Sequence, residues 1–194
     1  LDALLKLRQI CCDPRLLGMR EANELASAKL DYLIELLDML VKEGRRILLF
    51  SQFTTMLGLI RERLQAQGIS YLELTGSSRN RGELVEQFQA GEMPLFLISL
   101  KAGGTGLNLT AADAVIHYDP WWNPAAEAQA TDRAYRIGQT RPVFVHRLIC
   151  TGTVEERIQK LQVDKAKLAD DLLAGANKVI APDEDTLKQL LAPL

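Results

Sequence analysis

Two arginines in the second half of the chain carry the clearest chemical signal. Arg133 and Arg136 lie in the segment Gln129–Gln139 (QATDRAYRIGQ), three residues apart on a predicted helix. That spacing puts both guanidinium groups on one helix face, where two forked donors could grip a polyphosphate. The alternative is a solvated helix face whose arginines pair with carboxylates. An isolated pair at this spacing favours that alternative, so other parts of the sequence must decide.

A glycine-rich segment follows directly after a predicted buried strand. Ser99–Leu109 (SLKAGGTGLNL) contains three glycines, together with Thr105 and Asn108. Glycines let a backbone approach a phosphate closely, and the two polar side chains could hydrogen-bond backbone oxygens or a ribose. The alternative is an ordinary tight turn between a strand and a helix. The segment alone is weak evidence for a binding site.

The only two tryptophans of the chain are adjacent. Trp121 and Trp122 stand in a loop between Pro120 and Pro124, after another predicted strand. They could wedge against nucleic acid or a partner lobe, or they could cover the edge of a sheet. We predict that one belongs to the core and that the other is functional.

Short apolar segments alternate with amphipathic ones and predict the elements that position these residues. The predicted strands are 47–50, 71–74, 95–98, 114–118 and 143–149. The predicted helices begin at the cap Ser27 and near residues 54, 80, 124 and 154, the fourth running to about Ile137 and the last to about Leu173. This alternation is typical of an α/β fold with a parallel sheet covered on both faces. In such sheets, ligands bind at the carboxyl ends of the strands, where the glycine-rich turn and the tryptophan loop fall, and the two arginines lie next to a strand end.

Composition restricts the function without identifying it. The 25 acidic and 23 basic residues give a formal net charge of -2, so DNA contact would need a local basic patch. Cys11, Cys12 and Cys150 form no C-x-x-C pair and only two histidines are present, so we predict reduced, packed cysteines and no metal site. No apolar stretch is long enough to predict a membrane helix, and we expect an intracellular protein.

The order and spacing of these segments resemble the second RecA-like helicase lobe of Swi/Snf-type DNA translocases in helicase superfamily two. The matching motifs are ILLFSQF at 47–53, LTG at 74–76, the glycine-rich 99–109, YDPWWNP at 118–124 and QATDRAYRIGQ at 129–139. LRQICCDP at 7–14 resembles the helix that leads into this lobe, and 151–161 resembles the start of a bracing helix. The short loop at 77–80 resembles the compact bacterial form.

The resemblance implies a role for each matching residue. Arg133 and Arg136 would be arginine fingers, catalytic residues that reach ATP held mainly by a first lobe. Other matching residues would bind ATP or the DNA backbone: for ATP, Gln129, Gly104 and Asn108; for DNA, Thr75, Gly76, Lys101, Thr105 and Trp121. The implied partners are double-stranded DNA and the first RecA-like lobe of the same parent chain.

Parts of a complete motor are missing from the sequence. There is no G-x-x-x-x-G-K-[ST] loop and no Asp-Glu pair at the end of an apolar strand, so ATP with Mg²⁺ would be bound mainly by the first lobe. We therefore expect no ATP hydrolysis by this chain alone. The implied organisation is a helical lead-in over 1–26, the lobe over 27–150, and a brace helix and tail over 151–194.

Two alternatives stay open. A nucleotide-binding or sugar-nucleotide-binding enzyme would need a general base beside the glycines, and the sequence offers neither that base nor G-x-G-x-x-G. A non-catalytic interaction module with the same fold would not need its arginines for ATP hydrolysis. We expect a cytoplasmic protein, nucleoid-associated in a bacterium and nuclear in a eukaryote, whose isolated lobe could self-associate through an exposed apolar face.

Overall fold

The computed structural model describes residues 2–103, 106–121, 123–135 and 142–171. The helices are α1 (Asp2–Cys12), α2 (Ala28–Lys42), α3 (Thr54–Ala66), α4 (Arg81–Ala90), α5 (Leu100–Gly103), α6 (Pro124–Thr131) and α7 (Val154–Asp171). The strands are β1 (Ile47–Ser51), β2 (Tyr71–Leu74), β3 (Leu95–Ser99), β4 (Ala114–His117) and β5 (Phe144–Arg147). Two 3₁₀ turns, Pro14–Leu17 and Arg20–Glu24, connect α1 to α2.

All five strands are parallel, in the order β2-β3-β1-β4-β5. The three inner strands β1, β3 and β4 are buried along their whole length, as their continuous apolar sequences predicted. The edge strand β5 differs, because Phe144 and Val145 are exposed. The predicted α/β fold with a parallel sheet is confirmed.

Alternating side chains of each inner strand enter two separate cores. In β1, Ile47 and Leu49 pack with α2 and α3, whereas Leu48 and Phe50 pack on the opposite face with Phe88 of α4. This period of two follows from the pleat of a strand. The result is three layers, helix, sheet and helix, with the sheet covered on both faces.

The ends of several elements are fixed by local chemistry. The Ser27 side chain accepts a hydrogen bond from the Leu30 N–H at 3.3 Å, so the predicted cap of α2 is confirmed. Helix α4 ends at Gly91, which has φ of 85° and faces the Arg46 guanidinium so closely that a Cβ would lie 2.2 Å from it. The positive φ favours glycine there, whereas the guanidinium is the end of a flexible side chain that could move aside.

Helices α1 and α7 pack against each other beside the main sheet. Leu4 of α1 is buried with Val154 and Ile158 of α7 in a small separate cluster. The two segments that flank the lobe in the sequence are therefore in contact. Their division into lead-in, lobe and brace stays a prediction.

Two elements are clearly shorter than the sequence prediction. Helix α6 ends at Thr131 rather than near Ile137, and β5 covers only 144–147 of the predicted 143–149. The tail predicted to be a flexible joint at 174–179 and the helix predicted at 183–191 lie outside the described residues.

Within the described ranges, no helix has the length and apolar character needed to cross a bilayer. The same ranges contain no cluster of three or more His, Cys, Asp or Glu side chains that could hold a metal ion. All three cysteines are free thiols.

Candidate functional site

Most of the predicted DNA-contacting residues lie along one edge of the sheet. Thr75 and Gly76 follow β2, Lys101 follows β3, and Trp121 lies in the loop after β4. Because the strands are parallel and neighbours lie about 4.8 Å apart, their carboxyl ends form one continuous row. Gly76 and Lys101 are exposed, whereas Thr75 and Trp121 are half-buried. Thr105, the fifth residue of this group, lies outside the described residues.

The predicted helical position of Arg133 requires a correction, whereas its role as an arginine finger stays a prediction. Arg133 does not lie on a regular helix face, because α6 ends at Thr131 and residues 132–134 form turns. Its side chain is buried, with 6% exposed, rather than solvated. The Arg133 carbonyl accepts a long-range hydrogen bond of 3.0 Å from the Leu109 N–H. Arg136 lies outside the described residues.

Arg133 keeps an unused hydrogen-bond donor despite its burial. Its Nε has no hydrogen-bond partner within the part of the chain that the structure describes. A buried N–H without a partner costs free energy, so such a group calls for an explanation such as an absent ligand. An anionic oxygen would satisfy it with a charge-assisted hydrogen bond.

The glycine-rich segment and the arginine turn form one unit. The Leu109–Arg133 hydrogen bond joins them, and apolar side chains from both belong to one buried cluster: Ala102, Leu107, Ala130 and Ala134. Asn108 and Gln129, two of the predicted ATP-binding residues, are both exposed on this unit. Gly104, the third, lies outside the described residues.

Two of the three glycines have structural reasons for their presence. A Cβ on Gly103 would lie only 3.0 Å from Cε1 of Phe50, and Gly106 has φ of 43°. Gly103 allows close packing against Phe50 and Gly106 allows a left-handed backbone, so neither glycine needs a ligand to explain it. The evidence for ligand binding therefore lies in the neighbouring polar groups rather than in these glycines.

Asp119, just after β4, organises the centre of this edge. It is 1% exposed and accepts hydrogen bonds from Ser51 Oγ at 2.6 Å and the Gln52 N–H at 3.2 Å. Burial raises the pKa of this carboxyl, and the two hydrogen bonds oppose that shift. Next to it, Arg8 of α1 donates to the Pro120 carbonyl at 2.7 Å. Helix α1 is thereby attached to the strand ends.

Sequence reasoning missed two polar residues at this edge. The Gln52 Nε2 and the Arg81 Nε are buried donors with no partner among the described residues. Arg81 also donates from Nη2 to the Ala102 carbonyl at 2.7 Å, which links the start of α4 to the glycine-rich segment. Gln52 had a usable signal, since it follows a buried strand directly. Arg81 had none, because its partner is 21 residues away.

Trp121 lies outside the strands and helices, and side chains of two other residues bind its backbone N–H and carbonyl. Its N–H donates to Glu127 Oε1 at 2.7 Å, and its carbonyl accepts from Gln162 Nε2 of α7. Trp122, its neighbour, lies outside the described residues. The prediction that one tryptophan is core and the other functional stays open.

A buried ion pair between α2 and α7 lies next to the carboxyl ends of β4 and β5. Lys29 of α2 pairs with Glu155 of α7, and both side chains are almost inaccessible to solvent. Lys29 Nζ also donates to the carbonyls of Tyr118 at 3.2 Å and Leu148 at 3.1 Å. One ammonium group thus joins α2, α7 and the ends of β4 and β5.

His117, the last residue of β4, is a buried neutral histidine. Its ring stacks on Phe50, with centroids 5.6 Å apart, and its Nε2 lies 3.0 Å from the Thr131 hydroxyl at the end of α6. Burial lowers the pKa of His117 to about 4, opposed by Glu127 and assisted by Arg147.

Acidification should therefore weaken the fold through His117. A histidine whose pKa is lowered by folding contributes stability that is complete above its unfolded pKa of about 6.5 and is lost as the pH falls towards the folded value. Between pH 7 and pH 5, we expect roughly 2 kcal/mol of the free energy of unfolding to be lost at this site. Urea denaturation across this range should show a shallower pH dependence for His117→Gln. An unchanged slope in the variant would contradict the assignment.

Comparison with known protein families places these features in context. The family model described as helicase conserved C-terminal domain matches residues 28–138. A putative ATP-dependent helicase/translocase of Bacillus subtilis is 43% identical over 98% of this chain and 21% of its own length. The human chromatin-remodeling ATPase INO80 is 43% identical over 87% of this chain and 11% of its own length. The chain thus spans about a fifth or less of these two relatives.

Solved structures agree with the sequence comparisons. The Sulfolobus solfataricus SWI2/SNF2 ATPase core in complex with double-stranded DNA superposes with a TM-score of 0.72 and 35% identity, over 98% of this chain and 39% of that one. The C-terminal domain of the S. solfataricus SWI2/SNF2 ATPase gives a TM-score of 0.68 and 33% identity, over 91% and 73%. The layered parallel sheet is that of a RecA-like lobe, and the chain belongs to the helicase C-terminal domain family as a lobe of the SNF2 type.

Proposed function

We propose that this chain is the second motor lobe of a DNA-stimulated, ATP-dependent motor that moves along double-stranded DNA. The observation that supports it most directly is Arg133, a buried guanidinium with an unsatisfied Nε, on a turn joined to the glycine-rich segment. A polyphosphate from a facing lobe would satisfy that donor. The names of the bacterial and archaeal relatives, a helicase/translocase and an ATPase core bound to DNA, support the same substrate and ligand.

The proposed role of Arg133 is electrostatic. Arg133, with Arg136, would donate to phosphate oxygens whose negative charge increases during hydrolysis, and a donor that is already positioned stabilises that charge without reorganising. The exposed Gln129 and Asn108 would complete the contact with ATP. Mg²⁺, when bound, neutralises the phosphates. In this proposal, the ligands of Mg²⁺ would come mainly from the first lobe.

The residues at the carboxyl ends of the strands would bind the DNA. Lys101 offers an exposed ammonium, and Thr75, Gly76, Thr105 and Trp121 would add contacts to the sugar-phosphate backbone. Contacts of this kind position a protein on a duplex without reading its sequence. A lobe that closes on a partner lobe while both grip one duplex would advance along it during each cycle of hydrolysis.

The proposal is tested by measuring ATP turnover with and without duplex DNA. The chain alone should show none. Its two-lobed parent, meaning the longer protein in which this lobe faces a first lobe, should hydrolyse ATP faster when DNA is added. Turnover by this chain in a preparation free of other ATPases would reveal a complete active site and overturn the half-site assignment. If duplex DNA did not change the ATP turnover of the parent, the proposal of a DNA-stimulated motor would be wrong.

A further inference from the structure

The backbone of Trp121 is fixed by two side chains from different helices. Glu127 of α6 accepts its N–H, and Gln162 of α7 donates to its carbonyl. Trp121 lies outside regular secondary structure, so no ladder of backbone hydrogen bonds sets its conformation. The orientation of this residue therefore depends on Glu127 and Gln162.

Glu127 connects the same loop to a third element. Its carboxylate is 3% exposed, and Oε2 accepts from Arg147 Nε of β5 at 3.1 Å. Its Oε1 accepts from Gln162 Nε2 at 3.2 Å as well as from the Trp121 N–H. A buried carboxylate is tolerated only when hydrogen-bond donors surround it. Glu127 has three such donors: the Trp121 N–H, Arg147 and Gln162.

Gln162 is a polar residue on the buried side of α7. It is 8% exposed, and it follows Ile158, which is 1% exposed, by four residues, hence on the same helix face. An apolar residue of equal size would pack at this position without the cost of burying an amide. The amide adds two directional hydrogen bonds. One is donated to the Trp121 carbonyl, and the other to Glu127, which binds the Trp121 N–H.

We propose that Gln162 is a positioning residue, through which helix α7 sets the orientation of Trp121 and thereby the affinity of the lobe for DNA. This inference rests on the proposed function, specifically on the contact between Trp121 and DNA. It assigns to α7 a role beyond packing: a displacement of this helix would move the Trp121 carbonyl and weaken the grip on the duplex.

The test measures the duplex concentration that half-saturates ATP turnover of the two-lobed parent. Gln162→Met keeps the size of the side chain but removes both donated hydrogen bonds. We expect a rise of about five- to tenfold in the half-saturating concentration, with the DNA-saturated rate retained. Gln162→Glu places an acceptor against two acceptors and should raise it further. Lys160→Ala, at an exposed position of the same helix, is the matched control and should leave it unchanged.

A double-mutant cycle with Trp121→Ala separates positioning from general destabilisation. If Gln162 acts through Trp121, then Gln162→Met should add nothing to the effect of Trp121→Ala. Effects that multiply, or a Gln162→Met protein that behaves like Lys160→Ala, would overturn the inference. If Gln162→Met does not fold, Gln162→Glu is used in the same cycle. A harmless Trp121→Ala would instead count against the proposed DNA contact itself, so the two failures are distinguishable.

Discussion

ATP turnover by the two-lobed parent should fall by roughly two to five orders of magnitude when Arg133 and Arg136 are both replaced by alanine. The expected loss is large because a finger acts on charge that develops during phosphoryl transfer, in a site from which water is excluded. The buried position of Arg133 adds to this, since its guanidinium is already desolvated before a ligand arrives. Steady-state turnover at saturating DNA is the measurement.

Two further variants sharpen the interpretation. Arg133→Lys keeps the positive charge but loses the planar fork, so most of the loss should persist. Arg20→Ala removes an exposed arginine far along the chain from this turn and should have no effect. Wild-type turnover in the double variant would favour the remaining alternative, a non-catalytic interaction module with a helicase fold.

Loss of the buried ammonium of Lys29 should destabilise the fold more than other single changes considered for this chain. Lys29→Met leaves the carboxylate of Glu155 buried without its counter-charge and leaves two backbone carbonyls without their donor. Breaking one partner of a buried pair typically costs about 3–5 kcal/mol. Urea denaturation of the chain should show this as a lower midpoint with an unchanged slope.

Removal of both charges provides the internal control. Lys29→Met combined with Glu155→Leu should recover part of the lost stability, because no uncompensated charge remains. Recovery should be incomplete, since the Cys150 N–H loses its acceptor, Glu155 Oε2. Lys42→Met breaks an exposed pair with Asp38 and should cost less than about 1 kcal/mol. Additive losses in the double variant would show that the two charges do not stabilise each other.

The sequence was sufficient to predict the elements and their arrangement. Ser27 was identified as a cap from its type and position, and the inner strands from continuous apolar runs. A parallel sheet then required the segments after β2, β3 and β4 to meet at one edge, as they do. Local patterns determine these features, so one sequence carries enough information for them.

Features that depend on distant contacts could not be predicted. The turn after α6 is joined to the glycine-rich segment because the Arg133 carbonyl accepts from the Leu109 N–H, 24 residues earlier in the chain (133 minus 109). One of the two residues that hold Trp121 is also distant in the chain, since Gln162 is 41 residues away from it. The spacing of Gln162 from Ile158 places it on the apolar face of α7, but the sequence does not show which groups its amide contacts there. The roles of Gln52 and Arg81 also depend on which groups the fold leaves unsatisfied.

The packing of α1 against α7 also has a mechanical consequence. Leu4, Val154 and Ile158 join two helices that lie on either side of the lobe in the sequence. A pulling force applied between these helices would load this small contact and the side-chain attachments of Arg8 and Lys29 before it reached the hydrogen bonds between strands. We therefore expect tension between α1 and α7 to be carried by these side-chain contacts, without breaking the backbone hydrogen bonds of the sheet.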